Sequence, residues 1–315
     1  MIKNLLFISI VAPAYACSEC IPELYRRVVT TMESNHLPFE LIIVNDNSPQ
    51  CDWEVIVNLS LSDKRLKAIN FSRNFGQHAA ICAGIDYAVG DWVVVMDCDL
   101  EDQPEEIPRL LNKALTENFD IVFACRDQRS NSFVKNTCSR LFRYLLGMIT
   151  QLKIDSGFGN FSIASKQVMD VYRALPEKNR SHGLILLWCG FEVGYIHTVQ
   201  SPRFAGQSSY TFGKSFKLAF ESIISHSNYP LQISIKLGLW IAIIALLISV
   251  YFIFKKLFLG VPVSGWSSLI VSIYLMGGLI IASIGILGLY LGEIFNEIKK
   301  RPLYIIREKI NFQEN

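Results

Sequence analysis

Residues 237–254 (LGLWIAIIALLISVYFIF) contain no charged side chain. As a helix rising about 1.5 Å per residue, such a run spans about 27 Å, close to the hydrocarbon thickness of a bilayer. A second uncharged stretch, 257–292, contains a better-defined span at 267–292, with Pro262 and Gly265 in the connection. A buried hairpin of a soluble protein is the alternative; two consecutive runs of this length favour membrane crossing. Lys214, Lys217 and Lys236 precede the pair, and Lys299, Lys300, Arg301, Arg307 and Lys309 follow it. The connection carries only Lys255 and Lys256, so the positive-inside rule puts both ends in the cytoplasm. Just upstream, Phe216, Ala219, Phe220, Ile223 and Ile224 recur at helical spacing. They predict an amphipathic helix, lying either on the bilayer or against a core.

The first 200 residues read differently. Short apolar runs at 5–11, 40–45, 66–71, 92–96 and 120–124 alternate with helical stretches near 20–34, 52–60, 77–88 and 104–117. Continuous apolar strands separated by helices predict a mostly parallel sheet covered on both faces. Ligands of such sheets bind beyond the carboxyl ends of the strands, so the residues after each run become the candidates. The expected boundaries are an α/β domain over 1–212, a juxtamembrane helix over 213–232, spans at 233–256 and 266–292, and a basic cytoplasmic tail over 293–315.

The first run has a competing reading. Lys3, an apolar stretch and Cys17 resemble a lipoprotein signal peptide. A single lysine is a thin charged region, and the α/β alternation needs a strand here, which favours Leu5 to Val11 as a strand ending at Pro13. Eight cysteines are scattered along the chain, and only Cys17 and Cys20 have CxxC spacing. No second pair completes a zinc site, and dispersed free thiols fit a reducing compartment. The formal net charge of +2 gives no case for a nucleic-acid partner.

Several clusters carry candidate chemistry, most of them directly after the apolar runs. Asp97-Cys98-Asp99-Leu100-Glu101-Asp102-Gln103-Pro104 comes directly after WVVVM. Two carboxylates there suit Mg²⁺ or Mn²⁺, with the remaining coordination positions open to phosphate oxygens. A helix-capping cluster is the plainer alternative. Asn45-Asp46-Asn47-Ser48-Pro49 after the second run reads as a turn by itself. Taken with Pro13-Ala14-Tyr15 after the first, it reads as the wall of a nucleotide pocket. Arg73, in Ser72-Arg73-Asn74-Phe75-Gly76-Gln77-His78, suits a ribose or phosphate; His78 reads as a helix-start residue. Arg203, Ser208 and Lys214 lie around a glycine, in a segment that is either a surface turn or a loop closing over a phosphate.

The order PAY, VNDNS, SRNFG, DCDLEDQP, GFGNFSI and RFAGQSSY, followed by two apolar spans, resembles the family 2 glycosyltransferases that act on polyprenyl phosphates, such as bactoprenol glucosyltransferases and dolichyl-phosphate mannose synthases. The likeness covers nearly the whole chain. It implies a GT-A fold, a divalent metal, a nucleotide-sugar donor (UDP before GDP), a polyprenyl phosphate acceptor and an inverting displacement at the bacterial inner membrane. It further implies Pro13, Tyr15 and Asp46 as nucleotide binders, with Asn45 standing where the family usually has a second acid, and Asp97 and Asp99 as metal and diphosphate ligands. Arg203 and Ser208 become phosphate contacts, with Arg126, Arg129 and Lys135 as weaker candidates. Members of the family suggest a tetramer or dimer.

The chain departs from that pattern at Glu101, where glutamine is common, and at Asn160, where bactoprenol enzymes carry an aspartate assigned as base. Asn160 cannot take a proton, while Asp155 lies close enough in sequence to assist. A processive polysaccharide synthase is disfavoured because none of the five tryptophans follows an arginine. A nucleotide-binding scaffold without catalysis is disfavoured by the intact carboxylate pair.

Overall fold

The computed structural model describes residues 6–126, 159–175, 177, 180–198, 229–259 and 265–312. They fall into two units. One holds the described residues up to 198 together with 301–312; the other holds two long helices and ends at Lys300.

The first unit is built on one sheet. Its strands are β1 (Ile8–Ala14), β2 (Phe39–Asn45), β3 (Leu66–Phe71), β4 (Trp92–Val95), β5 (Ile121–Arg126), β6 (Ser162–Ser165), β7 (Val193–Thr198) and β8 (Ile306–Ile310). Their order is β7-β5-β6-β4-β1-β2-β3-β8. β1 pairs in parallel with β2 and β4, β2 with β3, and β5 with β7. β6 runs antiparallel between β4 and β5, and β8 runs antiparallel to β3. The helices are α1 (Cys20–Ser34), α2 (Asp52–Ser62), α3 (Gln77–Tyr87), α4 (Ile107–Glu117), α5 (Lys166–Ala174) and α6 (His182–Trp188).

Period-two alternation sends successive strand residues to opposite faces. Ile8, Ile10 and Ala12 pack against α1, α2 and α4 through Ile21, Leu24, Val28, Ile56, Leu110 and Ala114. Val11, Ile42 and Val44 pack against α3, α5 and α6 through Ala80, Ala83, Met169, Tyr172 and Leu186. A Cβ on Gly84 would overlap the Val11 side chain, so α3 sits as close to β1 as a bare backbone allows.

β1 runs three residues beyond the expected Val11, through Pro13. Val11 accepts from Met96 on the β4 side, whereas Ala14 accepts from Asp46 on the β2 side. Alternation turns Pro13 toward β4, whose pairing with β1 stops at Val95. Its missing N–H therefore leaves no ladder position empty. The expected strands at 40–45, 66–71, 92–96 and 120–124 agree with β2 to β5 within one or two residues.

The segment expected to be a basic tail returns to the sheet as β8. Tyr304 stacks on Phe71 with ring centroids 5.2 Å apart, and its hydroxyl donates to Asp86 at 2.7 Å. Asn311 Nδ2 donates to the carbonyls of Ser60 and Leu66, both at 2.8 Å.

The second unit contains α7 (Tyr229–Leu259) and α8 (Trp266–Ile298). Both are long and apolar enough to cross a membrane. Their large side chains point outward, Trp240 being 65% and Ile281 72% exposed. Within the pair, Ser234 Oγ donates to Ser283 Oγ at 3.2 Å. The amphipathic stretch 214–227 lies outside the described residues.

Candidate active site

The parallel strands β1 to β4 all end at one edge of the sheet, and their following loops are tied to one another. Asn45 Nδ2 donates to Asn70 Oδ1 at 2.9 Å, joining the ends of β2 and β3. Asp46 is buried, and its carboxylate accepts from the backbone N–H of Phe75 at 2.6 Å and of Gly76 at 2.9 Å. Burial raises its pKa above the ordinary carboxylate value, and the two amides work in the opposite sense. Asp46 thus fixes the loop after β3, which turns at Gly76 with φ +96°, a conformation that glycine adopts without steric cost. Arg73 in that loop stacks over Phe75, 4.3 Å from the ring centroid.

Tyr15, just past β1, stands 48% exposed at this edge. Ala16 N–H donates to Ser48 Oγ at 3.0 Å, and Cys17 N–H donates to the buried Asp52 at 3.1 Å. The motifs around Pro13, Tyr15, Asn45, Asp46 and Arg73 therefore meet in space, as their positions after neighbouring strands imply.

Asp97 and Asp99 follow β4 at the same edge, both part-exposed, while Cys98 between them is buried. Gln77 Nε2, at the start of α3, donates to Asp97 Oδ1 at 2.7 Å. Asp99 Oδ1 accepts from the Glu101 N–H at 3.1 Å. Leu100 adopts φ +61°, a left-handed conformation uncommon for a bulky side chain, and is buried. This turn sends Leu100 into the core while Asp99 stays at the edge.

Cys17 and Cys98 form a disulfide. The expectation of free thiols throughout is corrected at this pair. β1 and β4 are parallel neighbours, so the residues past their ends lie side by side. Among the described residues, Cys20, Cys51, Cys82, Cys125 and Cys189 take no part in a disulfide.

β6 brings the last described candidate to the edge. Its antiparallel pairing with β4 reaches Val95↔Ser162. Asp97 and Asn160 each lie two residues past that last pair. Arg126 ends β5. Arg129, Lys135, Asp155, Arg203, Ser208 and Lys214 lie outside the described residues.

Among the described residues, no group of three or more His, Cys, Asp or Glu side chains is placed to hold a metal. Two adjacent carboxylates fit a hard cation that completes its shell with phosphate oxygens and water, as Mg²⁺ commonly does. Sequence reasoning missed Asn70 and Asp52 and gave Gln77 no role. A helix-start glutamine and a strand-end asparagine carry no motif; only the register reveals what they face.

Residues 9–172 match the family model described as Glycosyl transferase family 2. The bactoprenol glucosyl transferase of Shigella phage SfII is 36% identical over 302 residues, 96% of this chain and 97% of that one. An uncharacterized glycosyltransferase, sll0501, of Synechocystis sp. is 34% identical over 302 residues, 96% of this chain and 95% of its own. Among solved structures, a glucosyl-3-phosphoglycerate synthase from Mycobacterium tuberculosis in complex with Mn²⁺, UDP and phosphoglyceric acid aligns with a TM-score of 0.52. That alignment covers 71% of this chain and 78% of the other at 17% identity, a likeness of fold. The chain belongs to glycosyltransferase family 2, with a GT-A-like sheet, and is a glycosyltransferase.

Proposed function

We propose that this enzyme transfers a hexose from a nucleotide diphosphate sugar to a polyprenyl phosphate at the cytoplasmic face of a bacterial membrane. The observation that carries the reading is the carboxylate pair Asp97 and Asp99, held part-exposed beside the loops of β1, β2 and β3. Relatives named bactoprenol glucosyl transferases, matched along nearly their whole length, support the acceptor. They make glucose the first sugar to test and UDP-glucose the first donor.

The site's residues divide the work. Tyr15, Asn45 and Arg73, with the loop fixed by Asp46, line the nucleoside side. Asp97 and Asp99 would hold Mg²⁺ or Mn²⁺, which when bound supplies the charge that stabilises the departing diphosphate. Gln77 holds Asp97 in place. Arg203 and Ser208 are assigned to the phosphates. Asn160 orients the acceptor phosphate beside Asp97, with Asp155 in support. A phosphate monoester has a second pKa of about 6, so the acceptor is already largely anionic at neutral pH. A nucleophile of that kind needs positioning more than a base, so asparagine suffices where an aspartate base would otherwise stand.

Membrane attachment follows the same reading. α7 and α8 present apolar side chains that water would not favour. The chain leaves the sheet unit after β7 and rejoins it at β8, so both ends of the helix pair lead back to one sheet. Two crossings satisfy that connectivity, and the basic residues flanking the pair put the ends in the cytoplasm. A processive synthase or a non-catalytic nucleotide binder is the competing reading.

Purified enzyme is incubated with undecaprenyl phosphate, Mg²⁺ or EDTA, and a panel of radiolabelled UDP- and GDP-hexoses. Metal-dependent label in the organic phase from one donor is the expected result. Label that stays aqueous with every donor, from protein that binds nucleotide, overturns the proposal in favour of the non-catalytic reading.

A further inference from the structure

His182, the first residue of α6, is fully buried. Its ring meets Tyr172 edge-on, with centroids 5.7 Å apart. Its Nε2 lies 3.0 Å from Ser162 Oγ, and Ser162 Oγ donates to the Asn160 carbonyl oxygen at 3.1 Å. A serine hydroxyl has one hydrogen, and here it is spent on Asn160. Ser162 Oγ must therefore accept from His182, so the imidazole carries its hydrogen on Nε2. Burial, with His78 as the lesser cause, pushes the His182 pKa down to about 3, so the ring stays neutral at any working pH. A neutral ring with its hydrogen on Nε2 has a bare Nδ1, and Nδ1 is buried without a hydrogen-bond partner. The direction of the whole chain is then fixed: His182 Nε2–H to Ser162 Oγ–H to the Asn160 carbonyl.

A buried polar chain that leaves one acceptor unsatisfied is a poor way to stabilise a core; an apolar pair of the same shape would do as well. Its end point suggests what it does. Asn160 precedes β6 by two residues, as Asp97 follows the last β4 residue paired with β6 by two. We propose that His182 is a positioning residue for the acceptor side of the site, fixing the Asn160 peptide through Ser162 so that its side chain meets the acceptor phosphate next to Asp97 and Asp99. The inference rests on the reading of Asn160 given above and extends it to Ser162, which the GFGNFSI motif contains without a role, and to His182, which no motif marks.

The test compares Ser162→Ala, His182→Leu and His182→Gln with wild type. Two quantities are measured: kcat and KM for undecaprenyl phosphate in the transfer assay, and the Kd of the donor nucleotide with Mg²⁺. Ser162→Ala and His182→Leu are expected to lower kcat/KM for the acceptor by about tenfold, with the donor Kd unchanged. His182→Gln, whose amide donates at the reach of Nε2, is expected to restore most of the loss. Ser162→Ala with wild-type acceptor constants overturns the proposal, as does a loss that weakens donor binding equally. If His182→Leu does not fold, Ser162→Ala decides, since it removes a single oxygen. Nitrogen NMR of the histidine rings separates this proposal from the proposed function. An Nδ1–H tautomer at His182 overturns the hydrogen-bond chain whether or not sugar is transferred. An Nε2–H tautomer in an enzyme that transfers nothing upholds the chain and sinks its catalytic purpose.

Discussion

The two edges of the sheet handle their carboxylates in opposite ways. At the amino edge, Glu40 is buried and accepts from Ser9 Oγ at 2.5 Å and from the Val89 N–H at 2.9 Å. Lys67 Nζ stands 2.5 Å from its other oxygen, and the Gly90 N–H closes the group on Ser9 Oγ at 2.8 Å. Every one of these partners belongs to the fold, and together they join the entries to β1, β2, β3 and β4. At the carboxyl edge, Asp97 and Asp99 stay part-exposed; Asp97 accepts from the Gln77 side-chain amide and Asp99 from the Glu101 backbone amide. A carboxylate held inside the fold is architecture; a pair steadied but still open to solvent is what the proposed site needs. The difference separates stability from chemistry, and mutation should separate them too.

The largest expected effect is at Asp99. Asp99→Ala is predicted to lower transfer by at least about a thousandfold, as loss of a key electrostatic element does, with the unfolding midpoint little changed. An active Asp99→Ala enzyme would break the comparison at its functional end. Asn160→Ala, by contrast, should leave measurable transfer. Glu40→Ala should do the reverse of Asp99→Ala. Stranding Lys67 and the Val89 N–H is expected to cost about 3 kcal/mol in denaturant unfolding, while the folded fraction binds nucleotide normally. Cys98→Ser sharpens the comparison within the carboxyl edge. The Cys17–Cys98 bond closes a loop across 81 residues of sequence, and its loss should cost about 2–4 kcal/mol under non-reducing conditions. The gap should close once dithiothreitol has opened the bond in the parent protein.

The smallest effect is set by pH. His182 has a pKa of about 3 in the fold against 6.5 for an ordinary histidine. Between those values the unfolded chain binds the proton and the folded one does not. Stability from this residue is therefore complete above pH 6.5 and lost as pH falls toward 3. Denaturant midpoints between pH 7.5 and 5 check it: His182→Gln should show a shallower acid loss than wild type.

Much of this was legible in the sequence. Strands β2 to β5 announced themselves as apolar runs, because strands buried on both faces have no polar side to interrupt them. The place of Asp97 and Asp99 at the carboxyl edge was legible because they follow such a run. The pairing of Cys17 with Cys98 was not, since it depends on β1 and β4 being neighbours in the sheet. Strand β8 was obscured by its charges: Arg307, Glu308 and Lys309 read as a solvated tail. Its signal was the alternation of Tyr304, Ile306 and Ile310 on one face, a pattern that an edge strand shows only weakly. Gln77 and His182 were illegible for a different reason. Each acts through one hydrogen bond to a residue far away in sequence, and no local pattern encodes such a partner.

The central claim is that the acceptor phosphate displaces a nucleoside diphosphate from the sugar carbon. The most direct measurement is the mass of the lipid product together with the identity of the released nucleotide, from wild-type enzyme with UDP-glucose, undecaprenyl phosphate and Mg²⁺. A lipid carrying one phosphate and one hexose, with stoichiometric UDP, is the predicted result. A lipid with a diphosphate bridge and released UMP, or no glycolipid at all, would contradict the account.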